Sequence, residues 1–271
     1  MDDSERKALI REIFNTIADG YDRPALRFFP VSALHLTQYL NPSDNAHILD
    51  VATGTGSAAL AIADEIPKGH VTGIDLSEGM LARATVKAAE QDITNVTFDR
   101  MDMTNIQYPD NHFDGASCAF GIFFLEDMQN CLRHISDKVK PGGKIALCSF
   151  YETAFSPLDE LFYNRLMQYG VEPPPVSWKR IGQKNHHSEL HETANLTDIH
   201  VYIEDIGYYL NDAEAWWEIL WNAGYRGLLN QLSENDLQRF RAEHLVEIQT
   251  TASDEGIWLD VKVIYSVGVK N

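Results

Sequence analysis

The sequence is short of the features that mark secreted, membrane-inserted or nucleic-acid-binding chains. Three cysteines in 271 residues, Cys118, Cys131 and Cys148, are too few and too scattered for a disulfide framework. They read as buried thiols in a reducing compartment. No apolar run approaches the length of a membrane span. The acidic start, Met1-Asp2-Asp3-Ser4-Glu5, is not expected to act as a signal or transit peptide. Positive charge is scarce: 22 basic residues face 40 acidic ones, a formal charge of -18, and no run of Lys and Arg occurs. Nucleic acid and anionic membrane surfaces repel such a chain. The expectation is a cytoplasmic protein with no nucleic-acid partner and no stable membrane insertion. Internal repeats and low-complexity linkers are absent too. The length allows one large domain with additions or two small ones, and 44% hydrophobic residues allow a sizeable core.

Short apolar segments alternate with helical ones through the middle of the chain. His47–Val51, Val71–Asp75, Val96–Phe98, Phe113–Ala119 and Ile145–Phe150 read as strands. Ser57–Ile66, Glu78–Glu90 and Asn130–Val139 read as helices. Met80, Leu81, Ala84 and Ala88 recur at helical spacing in the second, and Lys140-Pro141-Gly142-Gly143 closes the third. Repeated βα units with near-continuous apolar strands predict an α/β fold with a doubly wound parallel sheet. Further strands are expected over Ile199–Tyr209 and Leu259–Val269, with helices over Asp212–Glu247. Residues 1–45, with Ile10, Ile13, Phe14 and Ile17 at helical spacing, are expected to form an N-terminal helical lid. Residues 46–271 then form the main domain, with lid insertions near 151–185, which holds Pro173-Pro174-Pro175, and near 211–256.

The stretch from Ile48 to Leu60 carries the chemistry. An apolar strand runs into Gly54-Thr55-Gly56 and straight into an alanine-rich helix, so a ligand can approach the backbone closely. Asp50 stands four residues ahead of the first glycine. A pyrophosphate cradle needs no carboxylate there, whereas a ligand with an amino group can use one. That favours S-adenosylmethionine over a dinucleotide. Asp50 can meet the amino group directly, through water, or orient the loop. Asp75 ends the second strand and suits ribose hydroxyls. Asp102 follows the third and suits an adenine amine, with Met101 or Met103 against the ring. Gly54 to Ala59 also satisfies Gly-x-Gly-x-x-Ala, which keeps an NAD(P)-dependent oxidoreductase as an alternative.

Together these segments resemble class I S-adenosylmethionine-dependent methyltransferases. Asp50–Gly56 resembles the family's first motif and Gly73–Leu81 the segment after it. Asp102 with Tyr108–Asp114 resembles the stretch into the fourth strand, and Lys140–Lys144 the turn into the fifth. Within the class the resemblance is nearest to the ubiquinone/menaquinone biosynthesis C-methyltransferase-like (methyltransferase type 11) group. It is carried by Phe14–Asp22, with its Tyr21-Asp22 pair, and by Phe120-Gly121-Ile122. Phe123 and Phe124 stand where those enzymes usually carry Arg and Asn, and the flanks beyond residue 150 match poorly. The resemblance implies a Rossmann-like, doubly wound, seven-stranded sheet, mostly parallel with an antiparallel last strand supplied by Leu259–Val269. It implies donor binding by Tyr21, Asp50, Ala52, Gly54, Gly56, Asp75, Leu76, Met80, Asp102, Met103 and Phe120.

Groups for proton chemistry are less distinctive. His186, His187 and His191 cluster on what reads as a solvated helix start, and His187 and His191 have the i,i+4 spacing of helical metal ligands. No HExxH pattern accompanies them, so no metal is expected. Tyr21, His186 and His187 are the candidate catalytic groups, Tyr21 near the methyl group and a histidine as general base. Trp178, Trp216, Trp217, Trp221, Phe123 and Phe124 are candidates to line an apolar pocket. No Asn-Pro-Pro-Tyr type motif follows Phe113–Ala119, which argues against nucleic-acid amino groups. The expected reaction is in-line methyl transfer to a small, largely apolar or aromatic acceptor. A non-catalytic methyltransferase-like binding protein is the second alternative, and a homodimer is the assembly considered.

Overall fold

Apolar strands that alternate with amphipathic helices bury both faces of a sheet, and the chain folds accordingly. The computed structural model describes residues 3–271; the first two residues of the acidic start lie outside that range. In chain order come α1 (Asp3–Ile17), α2 (Phe28–Leu40), β1 (His47–Val51), α3 (Ser57–Glu65), β2 (His70–Asp75), α4 (Glu78–Glu90) and β3 (Val96–Arg100). They are followed by β4 (Phe113–Ala119), α5 (Met128–Lys138), β5 (Val139–Phe150), α6 (Leu158–Gln168), α7 (Lys184–Thr193) and β6 (Leu196–Asp205). The last elements are β7 (Tyr208–Leu210), α8 (Ala213–Asn222), α9 (Arg226–Leu229), α10 (Glu234–Gln249), β8 (Ile257–Leu259) and β9 (Lys262–Lys270). They divide into two units.

The first unit comprises Phe29–Glu152, Ser177–Glu204 and Val263–Asn271. Among the described residues its sheet has seven strands in the order β3-β2-β1-β4-β5-β9-β6. β1 pairs in parallel with β2 and β4, β2 with β3, and β4 with β5. β9 runs antiparallel to β5, with Lys144 opposite Val269 and Phe150 opposite Val263. The mostly parallel, seven-stranded sheet with an antiparallel last strand is therefore present. The chain order reverses at β1, so the carboxyl ends of β1, β2 and β4 open side by side at the switch point. Ile48, Leu49, Val51, Val71, Ile74, Ala116 and Leu147 are buried in this sheet.

The second unit comprises the residues up to Phe28, Thr153–Val176 and Asp205–Lys262. Asp212 caps α8 through the Ala215 amide, and Ser233 caps α10 through the Asp236 amide. Trp216, Phe162, Tyr225 and Phe240 form its interior, with ring centroids 5.4 to 6.1 Å apart where they meet. The Trp216 indole donates to His244 Nε2 at 3.0 Å. Arg165 clamps Glu247 and Glu243 on the neighbouring helix at 2.8 to 3.0 Å.

Four boundaries differ from the sequence expectation. The lid edge expected at residue 45 falls at Phe28, because Ala33, Leu36 and Leu40 of α2 are buried with the sheet. An added Cβ at Gly115 would sit 3.7 Å from Leu40 Cδ1, which shows how tightly α2 lies on β4. The expected insertion near 151–185 ends at Val176; the 3-10 turn Ser177–Ile181 belongs to the sheet unit. Ile199–Tyr209 is not one strand. Gly207 N donates to Asp205 Oδ1 in a tight turn, and β6 and β7 enter different sheets. Lys140–Gly143 is no separate turn: β5 already starts at Val139. Phe113 lies opposite Val139 but Gly115 opposite Lys144, so the Pro-Gly-Gly stretch bulges out of the ladder.

Candidate functional site

The turn after β1 is fixed by its own backbone. Thr53 N donates to Ile74 O at 3.0 Å, and Gly56 N closes the turn on Thr53 O at 2.9 Å. Gly56 has φ +84°, a left-handed conformation that costs glycine little, and it starts α3. Gly54 has φ +56°, and a Cβ added there would meet nothing within 4 Å. Gly54 therefore faces open space, as a ligand cradle requires, whereas a Cβ at Gly56 would meet Ala84 Cβ at 3.1 Å. Ala52 and Phe120 also hold positive φ, +53° and +54°, at the ends of the adjacent strands β1 and β4. Gly121 lets these ends meet: its missing Cβ would lie 2.5 Å from Ala52 Cβ.

The acidic residues surround this turn. Asp75, at the end of β2, accepts from Gly54 N through Oδ2 and from Ser77 N through Oδ1, both at 2.9 Å. Burial raises its pKa, and the two amides limit the rise. Ser77 in turn caps α4 by accepting from Met80 N. Leu76 is half-buried and Met80 buried beside it. Asp102 lies in the loop after β3, where its Oδ1 accepts from both the amide and hydroxyl of Thr104 at 2.8 Å. Met101 Sδ accepts from Gln107 N at 3.3 Å, and Met103 is half-buried in the same loop. Adjacent parallel strands thus bring Asp50, Ala52, Gly54, Gly56, Asp75, Leu76, Met80, Asp102, Met103 and Phe120 to one end of the sheet.

Asp50 is fully buried on β1. Ser117, opposite it on β4, donates to Oδ1 at 2.7 Å, while Oδ2 has no partner at normal hydrogen-bond length. Burial pushes its pKa up to about 6; the nearby Thr53 and Ser117 hydroxyls oppose the rise. A buried, partly unpartnered carboxylate behind an open backbone turn suits a cationic ammonium group. The residues present therefore fit S-adenosylmethionine: Asp50 for the amino group, an uncrowded Gly54 at the turn, and Asp75 and Asp102 for ribose and adenine.

The histidines stand elsewhere. His187 is fully buried between the sheet strands and α7, where Nε2 meets Ser149 Oγ and Nδ1 meets Ser266 Oγ, both at 2.7 Å. His191 is buried as well, with Nδ1 at 3.0 Å from His187 O. Burial lowers their pKa values, to about 3 and about 4. The solvated helix start expected from the sequence is therefore a polar core. An imidazole with both nitrogens engaged and no exposed surface has no lone pair to offer an acceptor, so His187 is withdrawn as a base. His186 is half-buried, with Nδ1 inaccessible and unpartnered. Tyr21 lies in the second unit, its ring edge-on to Phe14 at 6.2 Å. Among the described residues no group of His, Cys, Asp and Glu is placed to hold a metal ion.

An aromatic wall, only partly foreseen, adjoins the donor turn. Phe120 lies 4.5 Å from Phe150 and 5.3 Å from Phe29 between ring centroids, and Phe150 lies 5.8 Å from Trp178. Phe29 and Phe150 escaped notice because each sits in an ordinary apolar helix or strand; only their position at an element end marked them. Of the other aromatic candidates, Phe123 is buried after β4 and Phe124 lies half-buried beside it. Trp216 and Trp217 belong to the interior of the second unit, and Trp221 stacks on Trp217 under the Arg226 guanidinium.

Comparison with known proteins agrees with this geometry. Residues 48–143 match a family model described as a methyltransferase domain. The chain is 30% identical over 195 residues to the ubiquinone/menaquinone biosynthesis C-methyltransferase UbiE of Bdellovibrio bacteriovorus, covering 70% of this chain and 81% of that one. It is 28% identical over 182 residues to the aklanonic acid methyltransferase DauC of a Streptomyces species, covering 66% and 83%. A solved phosphoethanolamine N-methyltransferase of Haemonchus contortus, in complex with S-adenosyl-L-methionine, shares the fold with a TM-score of 0.55 at 19% identity. That match covers 94% of this chain and 60% of the other. Turn, acids, sheet order and relatives converge: the chain belongs to the class I S-adenosylmethionine-dependent methyltransferases of the UbiE-like group.

Proposed function

We propose that this S-adenosylmethionine-dependent methyltransferase acts on a small, largely apolar or aromatic acceptor. The observation that carries the proposal is the aromatic wall in which Phe120 and Phe150, at the ends of β4 and β5, pack with Phe29 and Trp178. When bound, the donor supplies a methyl group whose bond to the positive sulfur breaks as its bond to the acceptor nucleophile forms in line. Asp50, Gly54, Gly56, Asp75 and Asp102 bind and orient the donor. Phe120, at the junction of turn and wall, serves both halves of the site. The wall excludes water and offers ring faces for stacking, so proximity and desolvation supply most of the catalysis. The formal charge of -18 disfavours anionic polymers. The quinone-biosynthesis name of the UbiE relative supports a ring-bearing acceptor. His186 is retained as a candidate for the acceptor's proton, and Tyr21, in the other unit, is a candidate by the family resemblance alone.

The test is acceptor binding to the protein loaded with S-adenosylhomocysteine. Hydroxylated one-ring and two-ring aromatics should bind, with upfield-shifted ring protons that report stacking. Small aliphatic amines should not. Preferential binding of the amines would overturn the assignment.

A further inference from the structure

We propose that Trp178 sets the size of ring the enzyme accepts, and that Arg180 is the positioning residue that holds it there. This rests on the aromatic-acceptor reading above. Three members of the wall are anchored in long elements: Phe29 in α2, Phe150 at the end of β5, and Phe120 directly after β4. Phe120 is also pinned by its amide, which donates to Cys148 O at 3.0 Å. Trp178 alone comes from a short 3-10 turn, Ser177–Ile181, which has too few backbone bonds of its own to fix a large side chain.

Side-chain ties supply what the turn lacks. Arg180 Nη2 donates to Phe123 O and Leu125 O, both at 2.6 Å, and Nη1 reaches Glu126 O at 3.5 Å. Nε folds back on Ser177 O at 3.3 Å. One guanidinium thus fastens the turn carrying Trp178 to Ile122–Phe124, the turn that follows β4. Its planar fork reaches carbonyls in two directions at once, which a lysine ammonium on a shorter stem does less well. The far end is held too. Glu152 N donates to Gly182 O at 2.9 Å, Gln183 Nε2 donates to Glu152 Oε2 at 2.6 Å, and a Cβ at Gly182 would press within 3.1 Å of the Glu152 backbone. Trp178 therefore stands 93% buried at a defined distance from Phe150, as the side of the wall set by loop chemistry rather than by sheet geometry.

The experiment compares kcat/KM for a one-ring and a two-ring hydroxylated aromatic at saturating S-adenosylmethionine. It uses the full chain as wild type, Trp178→Ala, Trp178→Phe, Arg180→Ala and Arg180→Lys. Trp178→Ala should raise the two-ring to one-ring ratio about five- to tenfold, the size of a lost aromatic contact and the space it leaves. Trp178→Phe should fall between. Arg180→Ala should raise the acceptor KM about tenfold with S-adenosylhomocysteine affinity unchanged, and Arg180→Lys should recover part of it. An unchanged size ratio in both Trp178 variants would overturn the assignment of Trp178. Equal losses of donor and acceptor affinity in Arg180→Ala would reduce Arg180 to a fold-stabilising residue. Wild type that methylates neither ring class would defeat the acceptor reading itself; wild type that methylates both, with the ratio unmoved, would defeat this inference alone.

Discussion

The backbone amide of Gly54 donates to Asp75 Oδ2 at 2.9 Å, across 21 residues of sequence. This bond ties the turn after β1 to the end of β2, two parts of the proposed donor site. The carboxylate's other oxygen is held by Ser77 N at the head of α4. Asp75, the proposed ribose ligand, is therefore also the peg on which the turn hangs.

Replacing Asp75 by alanine should abolish donor binding. Two charge-assisted bonds to backbone amides are lost along with the ribose contacts, which corresponds to well over about a hundredfold in affinity. Titration calorimetry with S-adenosylhomocysteine checks this. Unchanged affinity would remove Asp75 from the site.

Donor affinity should depend on pH through Asp50. Its carboxyl sits near pKa 6 in the fold because it is buried, above its ordinary 3.8. The folded state thus holds the proton better than the unfolded chain, and this group's contribution to stability is lost as pH rises from about 4 through about 6. A cationic amino group binds the ionised form instead. Affinity for S-adenosylhomocysteine should climb up to about tenfold per pH unit below 6 and level off above it. Asp50→Asn should bind more weakly at pH 8 and show a flat profile there and below.

His187 should shape the acid limb of stability. Its pKa, about 3 in the fold, lies below the ordinary 6.5, so the unfolded chain takes up the proton first. The stability it contributes is complete above about pH 6.5 and is lost as pH falls towards 3, with a slope of up to about 1.4 kcal/mol per pH unit. His187→Gln, which keeps a donor and an acceptor for Ser149 and Ser266, should lower stability at pH 7 and flatten that slope. Denaturant melts at pH 5 and pH 7 decide it.

Gly121→Ala should destabilise the protein by about 1 to 3 kcal/mol, because the new methyl group would meet Ala52 Cβ at 2.5 Å. The shift falls on the end of β1, so S-adenosylhomocysteine affinity should fall as well. Thermal melts with and without that ligand separate the two effects.

The proposed donor half of the site could be assembled from the sequence because it is local. Asp50, Gly54 and Gly56 lie within seven residues, Asp75 ends the apolar strand β2, and Asp102 lies two residues beyond β3. Parallel pairing then brings these ends together without further information. The acceptor half draws Phe29, Phe120, Phe150 and Trp178 from separate elements, and no periodicity announces that they meet. Arg180 carries no sequence signal, because its partners are backbone carbonyls, which leave no trace in sequence. His187 misled for a related reason. Its neighbours in the chain are Asn185, His186 and Ser188, all polar, while the strands that bury it come from Ser149 and Ser266.

Transfer of isotopically labelled methyl from S-adenosylmethionine is the most direct test that donor turn and aromatic wall form one methyl-transfer site. The purified chain is offered a mixture of hydroxylated one-ring and two-ring aromatics and small aliphatic amines, and products are resolved by mass spectrometry. Label should appear in the aromatic compounds, with stoichiometric S-adenosylhomocysteine, and should vanish with Asp75→Ala. Label confined to the amines, or undiminished in Asp75→Ala, would contradict it.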